Sequence, residues 1–267
     1  MSIVTQKNGT LEYLTAERIG VAHCFTTRLG GVSKGYLDSL NLGLHRGDDP
    51  ANVEENFRIL GQAIGFDPQK AVLTRQTHSD IVCKVGKGDW GVYMVDGASP
   101  ESDALITNDP GTALVIFTAD CTPILLWDEK TGAVGAVHAG WRGTAQNIAG
   151  KTVEAMCREF GCQPEDIHAA IGPNIGPCCF ETDAEVPRAL MDTYGPLAKL
   201  FIWNRNGKFY PDLKKINAQA LKNAGVSVID VSCDCTMCQP QRFWSHRVHG
   251  AQRGSQGAII VCGEGKA

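Results

Sequence analysis

Between residues 71 and 137 five short β-rich runs follow one another, at 71–74, 81–85, 113–118, 124–127 and 132–137. Turn residues separate them, and some connections are too short for the helix that a parallel crossover requires. Much of this stretch must therefore pair antiparallel. The run Ala113-Leu114-Val115-Ile116-Phe117 does not alternate, so both faces of that strand are expected to be buried. Helical periodicity flanks the strands. Residues 49–65 place Val53, Phe57, Leu60 and Ile64 near one face and offer Pro50 to a first turn. Residues 144–160 carry a stripe of Ala145, Ile148, Ala149, Thr152, Met156 and Phe160, with Thr144 as N-cap. Further helices are expected at 183–194 and 212–224, stopped by Gly195 and Gly225. Further strands are expected at 21–27, 167–171, 226–231 and 258–261. The expectation is an α/β fold: a single domain over 1–267 with a mixed β-sheet and flanking helices, not a doubly wound parallel sheet.

Composition narrows the class of partner. A net charge of −4 and a pI near 6.0 argue against a basic face that grips nucleic acid. No run approaches the ~18 apolar residues of a membrane helix, and the first twenty residues lack a signal-peptide pattern. The 11 cysteines, an odd number, then read as reduced thiols of a cytoplasmic protein. Oligomeric state is not legible.

Three stretches end a strand with a reactive residue: Gln76-Thr77-His78, Thr118-Ala119-Asp120-Cys121 and Ala136-Val137-His138-Ala139-Gly140-Trp141-Arg142-Gly143. If these meet, two imidazoles and a thiolate give a ligand set that zinc accepts while leaving a fourth position open; thiolate also suits copper. Spacing alone leaves other readings open. Cys121 is also a candidate nucleophile with His138 or His78 as base, and isolated His and Cys residues after strands often only pack. Arg142, at a strand-to-helix turn, is a candidate phosphate ligand, although the glycines there also suit a plain tight turn. The loop at 171–181, rich in Gly and Pro, is a candidate pocket wall, and the segment from Thr27 to Asn41 a candidate lid. Cys233, Cys235 and Cys238 form a C-x-C-x-x-C cluster. With no second cysteine pair at zinc-ribbon spacing, these read as packed thiols more readily than as a second metal site.

Taken with Thr27-Arg28-x-Gly30-Gly31-Val32-Ser33, Leu40-Asn41-Leu42-Gly43, Gly47-Asp48-Asp49, Asp103-Ala104-Leu105-Ile106-Thr107, Ile171-Gly172-Pro173 and Cys235-Thr236, these motifs run through nearly the whole chain. In that order they closely resemble the family variously called YfiH-like, laccase-domain, polyphenol oxidase or peptidoglycan editing factor proteins. The resemblance implies a single mixed-sheet domain related to bacterial toxin-type cysteine hydrolases. It implies zinc, or copper, on His78, Cys121 and His138. It implies purine nucleoside chemistry: phosphorolysis of adenosine, inosine and methylthioadenosine, and deamination of adenosine. Some members are instead linked to hydrolysis of UDP-MurNAc-L-Ser. On that reading Cys121, Asp120 and Arg142 are catalytic candidates, with Asp120 a proton carrier. Arg28, Asn41, Gln76 and Arg247 are candidate substrate-binding residues, and the partners are a purine nucleoside and phosphate.

One stretch departs from the family pattern. Val248 and His249 stand where the family usually shows Arg and an acid. The laccase label also sits poorly with the chemistry. Multicopper oxidation needs His-x-His pairs, which this chain lacks, and the sequence does not read as an all-β copper fold.

Overall fold

The computed structural model describes residues 3–91 and 101–263. Two six-stranded mixed sheets organise it. The first runs β1 (Ile3–Asn8), β2 (Leu11–Ala16), β3 (His23–Thr26), β14 (Gln256–Val261), β7 (Ala113–Thr118), β4 (Ala71–Val72). Its pairs are antiparallel except β4 with β7. The second runs β13 (Val228–Val231), β10 (Ile167–Ile171), β8 (Thr122–Asp128), β9 (Val134–Ala139), β6 (Ala104–Thr107), β5 (Val82–Lys84). There β13 with β10 and β5 with β6 are parallel and the other pairs antiparallel. A small hairpin, β11 (Ile202–Arg205) and β12 (Lys208–Pro211), stands apart.

Side-chain alternation assigns the layers. From the second sheet Leu105, Leu125, Val134, Ala136 and Ala170 join Leu14, Phe25, Leu114, Ile116 and Ile259 of the first in one apolar core. Helix α1 (Pro50–Ile64) adds Val53, Phe57 and Leu60 to it. The intervening residues Ala104, Ile106, Ile124, Leu126, Val137, Ala169 and Ile171 point the other way. They pack under α3 (Ile148–Phe160) and α5 (Leu213–Asn223) through Ile148, Val153, Met156, Ala220 and Leu221. The second sheet is thus covered on both faces, as non-alternating strands require. Each fully buried large aliphatic residue contributes roughly 1.5–3 kcal/mol relative to exposure.

Local chemistry accounts for several boundaries. Asp49 caps α1 through Ala51 N (3.0 Å), Pro50 opens it, and Gly65 closes it at φ +84°. The single helix expected over 144–160 is two: α2 (Trp141–Ala145) and α3, broken at Asn147 with φ +59°. Asn tolerates that left-handed turn better than most residues. Its side chain then occupies the space a Cβ at Gly150 would need, 2.6 Å away. Thr144 is therefore not an N-cap but a buried residue inside α2, whose hydroxyl accepts from Asn217 Nδ2 (2.9 Å). Helix α4 (Glu185–Tyr194) ends at Gly195, as expected. Among the described residues no helix is long and apolar enough to cross a membrane.

Candidate metal centre

Two connectors carry the chain from one sheet to the other, and they do so at the same seam. One leaves β4 and reaches β5 through residues 73–81; the other leaves β7 and reaches β8 through Ala119, Asp120 and Cys121. His78 lies on the first connector and Cys121 on the second. His138 is the penultimate residue of β9, paired with Pro123 of β8. That register runs β8 back to Thr122 opposite Ala139 and leaves Cys121 beside Gly140. The ligand atoms of His78, Cys121 and His138 consequently lie within 4.8 Å of one another. His78 Nε2 is 3.8 Å from Cys121 Sγ, and the two imidazoles meet edge to face at 5.0 Å between centroids.

Asp103 organises this meeting. Fully buried, it accepts hydrogen bonds from the backbone N–H of Thr77 (3.1 Å), His78 (3.1 Å) and Ser79 (2.7 Å), and from the Ser79 hydroxyl (2.7 Å). Its Oδ1 also accepts a hydrogen bond from His138 Nδ1 at 2.7 Å. One carboxylate therefore folds the His78 turn, where His78 has φ +61°, and leaves His138 Nε2 free for the site. Burial would raise the Asp103 carboxyl, but the His138 and Ser79 hydrogen bonds overcome it and hold it down at about 2. Burial likewise opposes charge on Cys121 and His138. Their mutual attraction wins, aided for Cys121 by His78 and for His138 by Asp103. The thiol falls to about 6 and the imidazole rises to about 9. Gly140 completes the cradle: a Cβ there would stand 2.8 Å from His78 Cδ2 and 3.3 Å from Cys121 Sγ. Two imidazoles and a thiolate on one point, with a carboxylate behind one imidazole, fit a zinc or copper ion. In metal-free protein, alkylation of Cys121 by iodoacetamide should accelerate as pH rises through about 6, where the thiolate forms, rather than near 9. The Cys121→Ala background subtracts the other thiols, and a midpoint near 9 would contradict this electrostatic account.

The cluster forms part of the lining of a cleft of about 810 Å³. Leu73, Val53, Phe117, Trp141, Ile175 and Phe180 supply apolar surface, and Arg46, Arg75, Arg247 and Arg253 supply cations. Arg253 is pushed down to about 10 by burial, with the positive field of Arg46 adding to it. Two guanidinium groups thus share one region of the wall.

The other sequence candidates are distributed unevenly. Asp120 lines the cleft with φ +89°, and its carboxylate is occupied by the Thr236 hydroxyl (2.6 Å) and Arg247 N (2.8 Å). Gln76 lines it too, but its amide pairs with the backbone of Phe117 at 2.7 Å in both directions. Arg247 reaches the Glu181 carbonyl (2.9 Å) at the rim. Arg28, Asn41 and Arg142 do not line the cleft. The Arg28 guanidinium stacks on Trp244 at 3.7 Å and bonds the carbonyls of Asp38 (2.7 Å) and Pro240 (3.0 Å) and His249 Nε2 (3.1 Å). His249, where the family usually has an acid, thus meets Arg28. Asn41 is buried and holds Gly43, Asp48 and Ser255. Arg142 is exposed and folded over Trp141 at 4.3 Å. The segment from Thr27 to Asn41 is tied to the body where Val32 N bonds Asn56 (2.8 Å) and Ser33 bonds Asp48 (2.7 Å). The loop at 171–181 does wall the cleft, through Ile175 and Phe180. Sequence reasoning missed Arg46, Arg253, Trp141 and the organising role of Asp103. Only Trp141 and Asp103 lay inside stretches that had drawn attention.

Comparison with known proteins identifies the family. Residues 22–263 match the family model described as multi-copper polyphenol oxidoreductase laccase. The chain is 40% identical to the purine nucleoside phosphorylase YlmD of Geobacillus stearothermophilus, over 91% of this chain and 89% of that protein. It is 40% identical to the purine nucleoside phosphorylase YfiH of Shigella flexneri, over 85% and 88%. The crystal structure of YlmD from Geobacillus stearothermophilus superposes with a TM-score of 0.91, at 38% identity over 98% of this chain and 99% of that one. With these sheets, this His-Cys-His cluster and these likenesses, the chain belongs to the laccase-like YfiH family.

Proposed function

We propose that this chain is a metal-dependent purine nucleoside phosphorylase. The observation that carries the reading is the coincidence of the His78, Cys121, His138 cluster with an apolar, arginine-bearing cleft of nucleoside size. The relatives named purine nucleoside phosphorylase support it. Zinc or copper held by His78, Cys121 and His138 would supply Lewis acidity at the cleft floor.

The chain's own residues do the rest. Phe117, Trp141 and Phe180 offer flat apolar surface to the purine ring. Arg46 and Arg253 neutralise the phosphate dianion and aim one oxygen at C1′ of the ribose. That oxygen bonds to C1′ as the bond from C1′ to N9 breaks. The electron pair leaves with the purine, which takes up a proton; His45 and His246 line the same wall. The products are free base and ribose 1-phosphate. Adenosine, inosine and methylthioadenosine fit one mechanism, since the bond broken is common to all three. Deamination of adenosine would use water at C6 in the same pocket and release ammonia. Arg253→Ala should raise the KM for phosphate by roughly 10–100-fold, the loss of a charge-assisted contact worth about 1.5–3 kcal/mol, with a smaller effect on the nucleoside KM. An unchanged phosphate KM would remove Arg253 from the phosphate site.

A second reading rests on a specific alignment. Cys121, His138 and Asp103 stand in the order of nucleophile, base and orienting acid. In this arrangement the Cys121 thiolate would attack an acyl carbon, as in hydrolysis of UDP-MurNAc-L-Ser. One assay separates the two. Inosine with phosphate should yield hypoxanthine and ribose 1-phosphate from metal-replete protein. Release of serine from UDP-MurNAc-L-Ser without any phosphorolysis would favour the thiol reading.

A further inference from the structure

Away from the cleft floor the fold gathers a second group of ligand atoms. The sulfurs of Cys178, Cys179, Cys235 and Cys238 all lie within 4.8 Å of one another. Cys235 and Cys238 belong to the C-x-C-x-x-C cluster of the sequence. The pair that seemed missing is the adjacent Cys178 and Cys179, 60 residues upstream in the case of Cys178 and Cys238. Cys233 is not part of the group.

The geometry distinguishes between uses of four thiols. Cys238 Sγ is 3.5 Å from Cys178 Sγ and 3.4 Å from Cys179 Sγ. A disulfide joins only two sulfurs, at about 2.05 Å. A tetrahedral tetrathiolate with metal–sulfur bonds of about 2.3 Å has sulfur–sulfur edges of roughly 3.8 Å, within the range seen here. The backbone supports negative sulfur. Gly176 N–H donates to Cys235 Sγ at 3.1 Å, and the Cys238 backbone also bonds that sulfur. A Cβ at Gly176 would stand 3.2 Å from Cys178 Sγ and 3.5 Å from Cys235 Sγ, so the bare glycine lets the loop close on the group. The turn itself is fixed by Cys179 N and Phe180 N, both bonded to Gly176 O at 2.9 Å. Buried Lys214 donates to the Asp234 carbonyl (2.7 Å), placing a cation beside the cluster to offset its charge.

We propose that Cys178, Cys179, Cys235 and Cys238 form a tetrathiolate zinc site, separate from the His78, Cys121, His138 cluster, that staples together two loops of the cleft wall. The loops are already stitched at this point: Asn174 bridges Cys235, and Thr236 N bonds Asn174 O at 3.0 Å. From there Thr236 holds Asp120, the neighbour of Cys121, while Ile175, Phe180 and Arg247 face the cleft. Zinc at the four sulfurs fixes the position of that wall and replaces up to four thiol protons, which pass to solvent. It is redox-neutral and requires no oxidant.

The test uses three full-length chains, purified under reducing conditions, stripped of metal and titrated with Zn²⁺. Wild type should take up two equivalents. His78→Ala/Cys121→Ala should keep one, and Cys178→Ser/Cys238→Ser should lose one while retaining the other. Loading His78→Ala/Cys121→Ala with Co²⁺ should give the intense visible bands and sulfur-to-cobalt charge transfer of a tetrahedral tetrathiolate. A stoichiometry of one in wild type, with no cobalt–thiolate band in His78→Ala/Cys121→Ala, overturns the proposal even if the double serine variant fails to fold. So does a zinc-incubated wild-type chain whose intact mass shows a disulfide among these four cysteines.

Discussion

Asp103→Ala is expected to lower the thermal unfolding midpoint by roughly 10 °C. The carboxylate is the shared acceptor of three backbone N–H groups, one hydroxyl and the buried His138 imidazole. Alanine leaves all five donors without that partner and takes away the charge that faces His138. Breaking one side of a buried pair costs about 3–5 kcal/mol. At roughly 2–4 °C per kcal/mol for a chain approaching this size, that is a drop of order 10 °C. Calorimetry measures it. The same variant should lose metal from the His-Cys-His cluster, because neither the His78 turn nor the His138 ring is held. Asp103→Asn, which keeps the shape and an acceptor oxygen, should recover part of the stability but not the charge. A midpoint within 2 °C of wild type for Asp103→Ala would show that the carboxylate does not organise the seam.

Gly140→Ala separates chemistry from folding. The Gly140 backbone has φ −67°, which alanine adopts without strain, so the unfolding midpoint should stay near that of wild type. The new Cβ meets His78 Cδ2 at 2.8 Å and must push the exposed imidazole aside. Metal affinity at the cluster should fall by about 10–100-fold, and kcat/KM by about 100-fold, the usual cost of displacing a working group by an ångström. Competition against a chromophoric chelator reads the first quantity and steady-state phosphorolysis the second. A variant with wild-type affinity and kcat/KM would mean that His78 is not held against Gly140 in the working protein.

The sequence was most legible where burial is two-sided. β7, β8, β9 and β10 announce themselves as short apolar runs, and these strands carry or flank Cys121 and His138. The β1–β2 hairpin was not, because β1 is largely exposed and has few apolar residues to set a pattern. Its turn at Asn8-Gly9, with Gly9 at φ +61°, was the available sign. The break at Asn147 was hidden because the apolar stripe continues across it in register. Motif resemblance pointed to the three candidate ligands, but their convergence depends on two connectors crossing between sheets, which no local spacing encodes. Arg46 and Arg253 sit 207 positions apart in sequence, and only the fold brings them to one wall. The reverse holds for Arg28 and Asn41: they stand in family motifs, yet their side chains are spent on holding loops.

The dependence of phosphorolysis on metal at the His-Cys-His cluster is the most direct measurement of the central claim. Chain stripped of metal should turn over inosine and phosphate at a few percent of the replete rate or less. Zinc or copper should restore wild type, and should fail to restore Cys121→Ala. Stripped wild-type chain that phosphorolyses inosine at the undiminished rate would contradict the account.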